Sequence, residues 1–134
     1  MAHCREALRL RPDFPEAQRN LGILYVRTGR YEEALGHYRQ ALRLQPADAK
    51  ARFNLGVAMF KLRRLDDAAA QFQEVLRLQP DYPEAHYNLG NVLLRLRRFD
   101  EAASQYREAL RLRPGYAEAR VNLELALSLQ GAAR

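Results

Sequence analysis

The stretch from Pro83 to Tyr116 reads PEAHYNLGNVLLRLRRFDEAASQYREALRLRPGY. Shifted back by 34 residues, the sequence from Ala49 to Tyr82 reads AKARFNLGVAMFKLRRLDDAAAQFQEVLRLQPDY. A second shift by the same distance gives PEAQRNLGILYVRTGRYEEALGHYRQALRLQPAD, from Pro15 to Asp48. One unit therefore occurs three times without insertion, which indicates an array of stacked supersecondary units.

Each unit contains two helical patterns of apolar residues, joined by a short turn. A proline follows every second pattern, where it marks the end of a helix because it cannot continue one. Residues 1–14 match only the second half of the unit, and residues 117–130 match only its first half. We therefore predict an all-α chain of about eight helices. Its parts are a partial repeat over 1–14, full repeats over 15–48, 49–82 and 83–116, and a single terminal helix over 117–130.

A glycine recurs in the middle of each first helix, at Gly22, Gly56 and Gly90. In a helix interior, glycine costs about 1 kcal/mol relative to alanine. A cost that recurs at one register indicates close approach of another helix. The predicted small partners are the recurring alanines of the second helices, Ala34, Ala68 and Ala102.

The recurring residues resemble the consensus of the tetratricopeptide repeat (TPR) family. In the third unit the resemblance rests on Leu89, Gly90, Leu93, Ala102, Tyr106, Ala109 and Pro114. The tryptophan that is usual in the family's first helix is replaced by Gln18, Arg52 and His86. The resemblance implies an α-solenoid of helical hairpins in a right-handed superhelix, with the first helices lining the concave face. It also implies a scaffold that binds peptides rather than an enzyme, with stability that comes from stacking.

One asparagine recurs at the same register of every first helix, although asparagine is a mediocre helix former. If these helices pack about 10 Å apart, an extended peptide that advances roughly 3.3 Å per residue would meet an amide at about every third residue. Amides donate and accept hydrogen bonds, which suits binding to a peptide backbone. The arrangement resembles the asparagine ladder in the TPR arrays of O-linked N-acetylglucosamine transferases. The alternative is that the amides bind water or a neighbouring helix. The asparagines are Asn20, Asn54, Asn88 and Asn122.

A basic stripe accompanies this column, seven residues beyond each of its first three members, at Arg27, Lys61 and Arg95. Together with the column, the stripe predicts a peptide-binding groove with a basic edge, which suits an extended partner with acidic residues. The alternative is that the helix macrodipole alone favours cations at these helix ends. The residues predicted to border the groove are Phe53, Tyr87, Phe60 and Asn91.

A second TPR subclass binds chaperone C-terminal carboxylates with a clamp of lysine, asparagine and arginine side chains. The clamp positions map to Arg19, Ile23, Asn54, Glu84 and Asn88. Only Asn54 is identical, and Glu84 reverses the sign of the charge. The sequence therefore does not predict a carboxylate clamp.

The composition narrows the remaining classes of function. The chain has 22 Lys and Arg against 16 Asp and Glu, which gives a net charge of +6. Acidic residues follow the basic hairpin turns and largely neutralise that edge, so the pattern argues against nucleic acid as a partner. No apolar run approaches the roughly 18 residues that could span a membrane. A single cysteine fits a reducing compartment, and we expect a cytoplasmic protein.

The sequence gives no reason to expect a catalytic residue, a metal site or a cofactor. Its three histidines do not form a pair with metal-binding spacing, and Cys4 has no evident co-ligands. His37 is expected to face solvent, and His86 to pack at the position of the family's tryptophan.

We therefore predict a protein–protein interaction scaffold that holds an extended peptide segment on its concave face. One alternative is the substrate-selecting TPR portion of a larger enzyme, such as a glycosyltransferase. Another is a self-assembling architectural array. The half-repeat at residues 1–14 suggests a fragment of a longer array, and we expect it to associate end to end with other copies.

Overall fold

The computed structural model describes residues 14–133, and it contains seven helices and no strand in that range. The prediction of an all-α solenoid is thereby confirmed. The helix predicted within residues 1–14 lies outside the described residues. The seven helices are α1 (Pro15–Arg27), α2 (Tyr31–Leu44), α3 (Ala49–Lys61), α4 (Leu65–Leu78), α5 (Pro83–Arg95), α6 (Phe99–Leu112) and α7 (Ala117–Ala133).

The helices pack as successive hairpins, with α1 on α2, α3 on α4 and α5 on α6. Each second helix also packs on the first helix of the following hairpin. The first helices α1, α3, α5 and α7 contact one another in sequence, whereas the second helices α2, α4 and α6 do not. The row of first helices therefore forms the inner, more closely spaced side of the array. We call this side the inner face.

The three hairpin turns share one backbone conformation. A residue with positive φ closes each turn: Gly29 at 76°, and Arg63 and Arg97 both at 62°. In the second hairpin, the N–H of Arg64 then donates to the carbonyl oxygen of Met59 at 2.9 Å, which is a Schellman closure. A side chain in this conformation costs roughly 1 kcal/mol. Two turns therefore carry an arginine where glycine would be less strained.

The mid-helix glycines do mark a close helix approach, but their nearest neighbours are aromatic rings and not the predicted alanines. The second helix meets the glycine with an aromatic ring, one turn beyond the fully buried alanine. The ring fills the space that a side chain at the glycine would occupy. The pairs of glycine and ring are Gly22 with Tyr38, Gly56 with Phe72, and Gly90 with Tyr106. These rings are also the largest fully buried side chains of the core.

The last helix differs from its prediction in length. It runs to Ala133, three residues past the predicted end at Gln130. Gly131 does not stop it, because an exposed glycine in a helix costs only about 1 kcal/mol, and two alanines follow. Among the helices of residues 14–133, none combines the length and the apolar character that crossing a membrane would require.

Candidate functional site

The structure places the four asparagines on α1, α3, α5 and α7, but their amides are not equivalent. Asn20 is exposed and Asn54 is half-buried, and neither makes a side-chain hydrogen bond to another residue of 14–133. The Nδ2 of Asn88 donates to the carbonyl oxygen of Glu84 at 2.8 Å, one turn earlier in α5. The column therefore carries amides at α1 and α3 that bond to no other described residue, and a partly bonded one at α5.

Asn122 belongs to a different arrangement, which joins α7 to the third hairpin. Its Nδ2 donates to Oδ1 of Asn91 at 2.9 Å and lies 3.4 Å from the hydroxyl of Tyr87. The hydroxyl of Tyr106 donates to the same Oδ1 of Asn91 at 2.6 Å. Burial raises the pKa of Tyr106 above its ordinary value, so the hydroxyl remains a neutral donor. The amide of Asn122 therefore binds a neighbouring helix, which is the alternative to peptide binding at this position.

Phe53 and Tyr87 do not stand free beside a groove. The ring of Phe53 stacks on Tyr82, with 5.0 Å between centroids and 19° between planes. The centroid of the Tyr87 ring lies 5.0 Å from that of Tyr116 and 6.0 Å from that of Tyr106. Both rings thus join a first helix to the loop that follows its hairpin. The recurrence of Tyr82 and Tyr116 at one register was the signal that sequence reasoning missed.

The first hairpin replaces this aromatic pair with an ion pair. Nη1 of Arg19 lies 2.8 Å from Oδ2 of Asp48, at the registers of Phe53 and Tyr82. Glu84, another position of the carboxylate clamp, is bonded to Arg113. With Asn88, which donates to the carbonyl oxygen of Glu84, three of the five mapped clamp positions are therefore engaged within the protein.

Three predicted residues come together at the hairpin-turn edge of the inner face. Phe60, Lys61 and Arg95 line a depression of about 340 Å³, together with Arg63 and Leu65. The guanidinium carbon of Arg95 lies 5.8 Å from the centroid of the Phe60 ring, within cation–π range. Sequence reasoning did not assign Arg63 and Leu65 to the site. The sequence feature that could have identified Arg63 is its position, because the first unit has Gly29 at the equivalent place in the turn.

The structure separates the cations around the turns into two sets. Arg30 lies 2.5 Å from Glu33, Arg64 lies 2.7 Å from Glu32, and Arg98 lies 2.6 Å from Glu101. A second set forms no ion pair with any residue of the described chain: Arg27, Lys61, Arg63, Arg95 and Arg97. The self-neutralised edge that the sequence predicted therefore holds for the first set only.

The two described histidines serve the packing of hairpins. His37 does not face solvent as expected: it is half-buried, stacks on Tyr25 at 5.2 Å, and its Nδ1 lies 2.8 Å from Oε1 of Gln18. Burial lowers the pKa of His37, against a smaller opposing effect of Glu33.

At the position of the family's tryptophan, His86 makes polar contacts with two neighbouring segments. Nδ1 of His86 lies 2.8 Å from Oε1 of Gln105, and its Nε2 lies 3.0 Å from the carbonyl oxygen of Pro80. Arg52 makes the corresponding bonds to Gln71 and Pro46 in the second hairpin. Within residues 14–133, no cluster of His, Cys, Asp and Glu has an arrangement that could hold a metal ion.

Comparison with known proteins gives a family and several similar structures. A family model described as tetratricopeptide repeat matches residues 2–49, 19–83 and 60–117. The crystal structure of MamA is 26% identical, with a TM-score of 0.92 over 96% of this chain and 75% of that chain. None of the curated proteins compared with the sequence matches it.

Two further similar structures share the fold at lower identity. The first TPR of Spaghetti (RPAP3) bound to the HSP90 peptide SRMEEVD is 24% identical, with a TM-score of 0.84 over 90% of this chain and 94% of that chain. The Arabidopsis OM64 TPR domain is 23% identical, with a TM-score of 0.82 over 84% of this chain and 93% of that chain. These structures lend no support to the resemblance to O-linked N-acetylglucosamine transferases.

Proposed function

The chain belongs to the tetratricopeptide repeat family, and from this premise we propose that it is a protein–protein interaction module. Its inner face would hold an extended segment of another protein. One observation carries this proposal: the amides of Asn20 and Asn54 lie on successive first helices and bond to no other described residue. Amides in a column with both donors and an acceptor available suit the alternating N–H and C=O groups of a peptide backbone.

The hydrogen bonds limit where the segment would lie. Asn122 already donates to Asn91, and Asn88 donates to the carbonyl oxygen of Glu84 but keeps its Oδ1 as an acceptor. The proposed contacts therefore run along α1, α3 and α5 and leave α7 out. At about 10 Å between helices, the three amides cover roughly 20 Å, or about six residues of extended chain.

A related fold supports a peptide as the class of ligand. The first TPR of Spaghetti is bound to the peptide SRMEEVD. In the present chain Arg19 is paired with Asp48, and Glu84 is bonded to Arg113. Recognition of a partner by this chain would therefore use other side chains than a carboxylate clamp.

The test is a selection of binders from a displayed library of random peptides of about nine residues, long enough to cover the three amides with residues to spare. The affinity of the selected peptides is then measured for the double variant Asn20→Ala, Asn54→Ala. Loss of two hydrogen bonds of about 1 kcal/mol each predicts an affinity at least 10-fold lower. Gln73→Ala is the matched control, since it removes an exposed amide from the second helix α4. Equal affinity of the wild type and the double variant would overturn the proposal.

A self-assembling array is the second candidate, and exposed apolar side chains on α7 favour it. Val121 is 62% exposed, Leu125 46% and Leu127 38%. Burial of such side chains against another copy would remove apolar surface from water. Sedimentation velocity over a range of protein concentrations separates the candidates. Association that Leu125→Lys abolishes supports assembly through α7, whereas a constant monomer excludes it. No feature of residues 14–133 favours the third alternative, the substrate-selecting portion of a larger enzyme.

A further inference from the structure

The depression lined by Phe60, Lys61, Arg63, Leu65 and Arg95 is built from three helices and one turn. Two of these residues end α3, one closes the turn, one begins α4, and one ends α5 of the next hairpin. The volume of about 340 Å³ is several times that of a water molecule, whose share of liquid volume is about 30 Å³. The depression can therefore receive side chains of a ligand and not only solvent.

The positive charges on its walls are not neutralised by direct contact with a carboxylate of the described residues. Lys61, Arg63 and Arg95 form no ion pair there, although cations elsewhere around the turns do. The nearest carboxylates along the chain, Asp66 and Asp67, belong to the first turn of α4 and pair with none of the three. Three like charges in one depression repel one another, and the attraction of an anion placed between them would offset this repulsion.

The same depression has an apolar wall. Phe60 and Leu65 are both half-buried, and the guanidinium group of Arg95 lies over the Phe60 ring. A guanidinium placed over an aromatic ring keeps N–H groups that can donate in pairs to a carboxylate. The walls therefore suit a ligand that carries a carboxylate beside an apolar group.

A comparison of equivalent turns shows that Arg63 is available for such a ligand. Arg63 and Arg97 have the same positive φ of 62°, and Gly29 takes their place in the first hairpin. The guanidinium of Arg97 is engaged, 5.4 Å from the centroid of the Phe99 ring. Arg63 has no such contact with the described residues and lines the depression instead. The strained turn thus places one uncommitted guanidinium at the site.

The depression also lies close to the asparagine column. Lys61 follows Asn54 by seven residues, so both lie on one face of α3 with a rise of about 10 Å between them. In a helix the Cα–Cβ bond is tilted toward the N-terminus, which at Lys61 is the direction of Asn54. A side chain projecting from a peptide at Asn54 could reach the depression.

We propose that this depression is a subsite for an acidic side chain of the bound segment, with a neighbouring apolar side chain packed on Phe60. The inference rests on the proposed peptide-binding function and deepens it. The group that binds in the depression would be the carboxylate of an aspartate or glutamate. Its binding would fix the position of that residue of the segment relative to the asparagine column.

The test uses the same displayed peptide library. Peptides selected by the wild-type protein should be enriched in Asp or Glu next to an aromatic or aliphatic residue. For one such peptide, Lys61→Gln, Arg63→Gln and Arg95→Gln should each raise Kd roughly 2- to 5-fold, the range for a partly exposed charge contact. The affinity of the wild type should also fall as salt is added, because screening weakens these contacts.

Two controls make the test specific. Arg97→Gln removes the same charge from the equivalent turn and should leave Kd unchanged. Changing the acidic residue of the peptide to its amide should weaken binding to the wild type but not to the triple variant Lys61→Gln, Arg63→Gln, Arg95→Gln. An equal effect of Arg97→Gln, or selected peptides without acidic residues, would overturn the inference. So would a phosphorylated peptide or inorganic phosphate that occupies the depression while the carboxylate peptide does not.

The outcomes for the two proposals differ. Peptides that depend on Asn20 and Asn54 but not on the three cations would leave the peptide-binding function intact and remove the acidic subsite. A library from which no peptide is retained would remove both.

Discussion

Gly90 lies so close to Tyr106 that a Cβ atom at position 90 would stand 2.6 Å from Cε1 of the ring. The Tyr106 ring is fully buried, so it cannot make room by moving out into solvent without disturbing the core. The same relationship holds for Gly22 with Tyr38, and for Gly56 with Phe72. The recurring glycine is therefore required by the ring that crosses it, despite its cost to the helix.

We expect Gly90→Ala to lower the free energy of unfolding by about 1–3 kcal/mol, the usual cost of overpacking. Gly36→Ala is the matched control, because Gly36 lies inside α2 with nothing within 4 Å of an added Cβ. That change should raise stability by about 0.5–1 kcal/mol through helix propensity alone. Urea denaturation of both variants measures the difference. A Gly90→Ala protein as stable as the wild type would contradict the packing argument.

The Tyr106 hydroxyl offers a second comparison between equivalent positions. It donates to Asn91 at 2.6 Å, whereas the hydroxyl of Tyr38 bonds to no other described residue. Tyr106→Phe should therefore cost about 1 kcal/mol of stability, and Tyr38→Phe should change it by less than about 0.5 kcal/mol. Thermal unfolding at neutral pH measures both. Equal losses would show that the Asn91 bond contributes nothing.

Alkaline pH should destabilise the fold through its buried tyrosines. Burial raises the pKa of Tyr38 to about 12, and burial assisted by Glu84 raises that of Tyr116 to about 12. Below a pH of about 10, both folded and unfolded states keep these protons, so stability does not change on their account. Above it the unfolded chain releases protons that the folded chain retains. Stability should therefore fall as the pH rises from about 10 toward 12.

Denaturation midpoints across this range, together with the absorbance of tyrosinate, test the prediction. Tyr38→Phe should match the wild type at neutral pH but lose less stability in alkali, since one raised pKa is removed. An identical alkaline decline in this variant would mean that Tyr38 is not among the responsible groups.

The repeat was the part of the structure most accessible from sequence. A unit that recurs three times repeats every local signal, so apolar periodicity and proline positions located the helix pairs. Which side chain meets which is a different question. Spacing placed Ala102 and Tyr106 on the same face of α6, but it could not show that the ring reaches Gly90.

For the candidate site, the sequence predicted which repeat positions contribute residues, but not which contacts those residues make. The asparagines share one position in the unit, yet Asn54 has no side-chain bond in the described chain while Asn122 bonds to Asn91. That difference depends on Asn91, where the other units have isoleucine and valine. Likewise, counting charges at the turns could not separate Arg64, which pairs with Glu32, from Arg63 beside it. Contacts made at a distance in sequence decide both cases.

Asp48 has two functions, and suitable variants can separate them. Its Oδ2 lies 2.8 Å from Nη1 of Arg19, and its Oδ1 accepts a hydrogen bond from the backbone N–H of Ala51 at 3.1 Å, as the N-cap of α3. The equivalent Tyr82 cannot cap α5, but α5 begins with Pro83, which has no N–H to satisfy. The helix α3 begins with alanine and so depends more on its cap.

We therefore expect Asp48→Ala to lower the free energy of unfolding by about 1–2 kcal/mol, since it removes the cap together with the ion pair. Asp48→Asn keeps a capping oxygen and removes only the charge, so its cost should stay below about 1 kcal/mol. Urea denaturation at low and high salt measures the two variants, and the ion-pair part alone should shrink as salt is added. Equal losses in both variants would mean that the ion pair with Arg19, rather than the cap, is what Asp48 contributes.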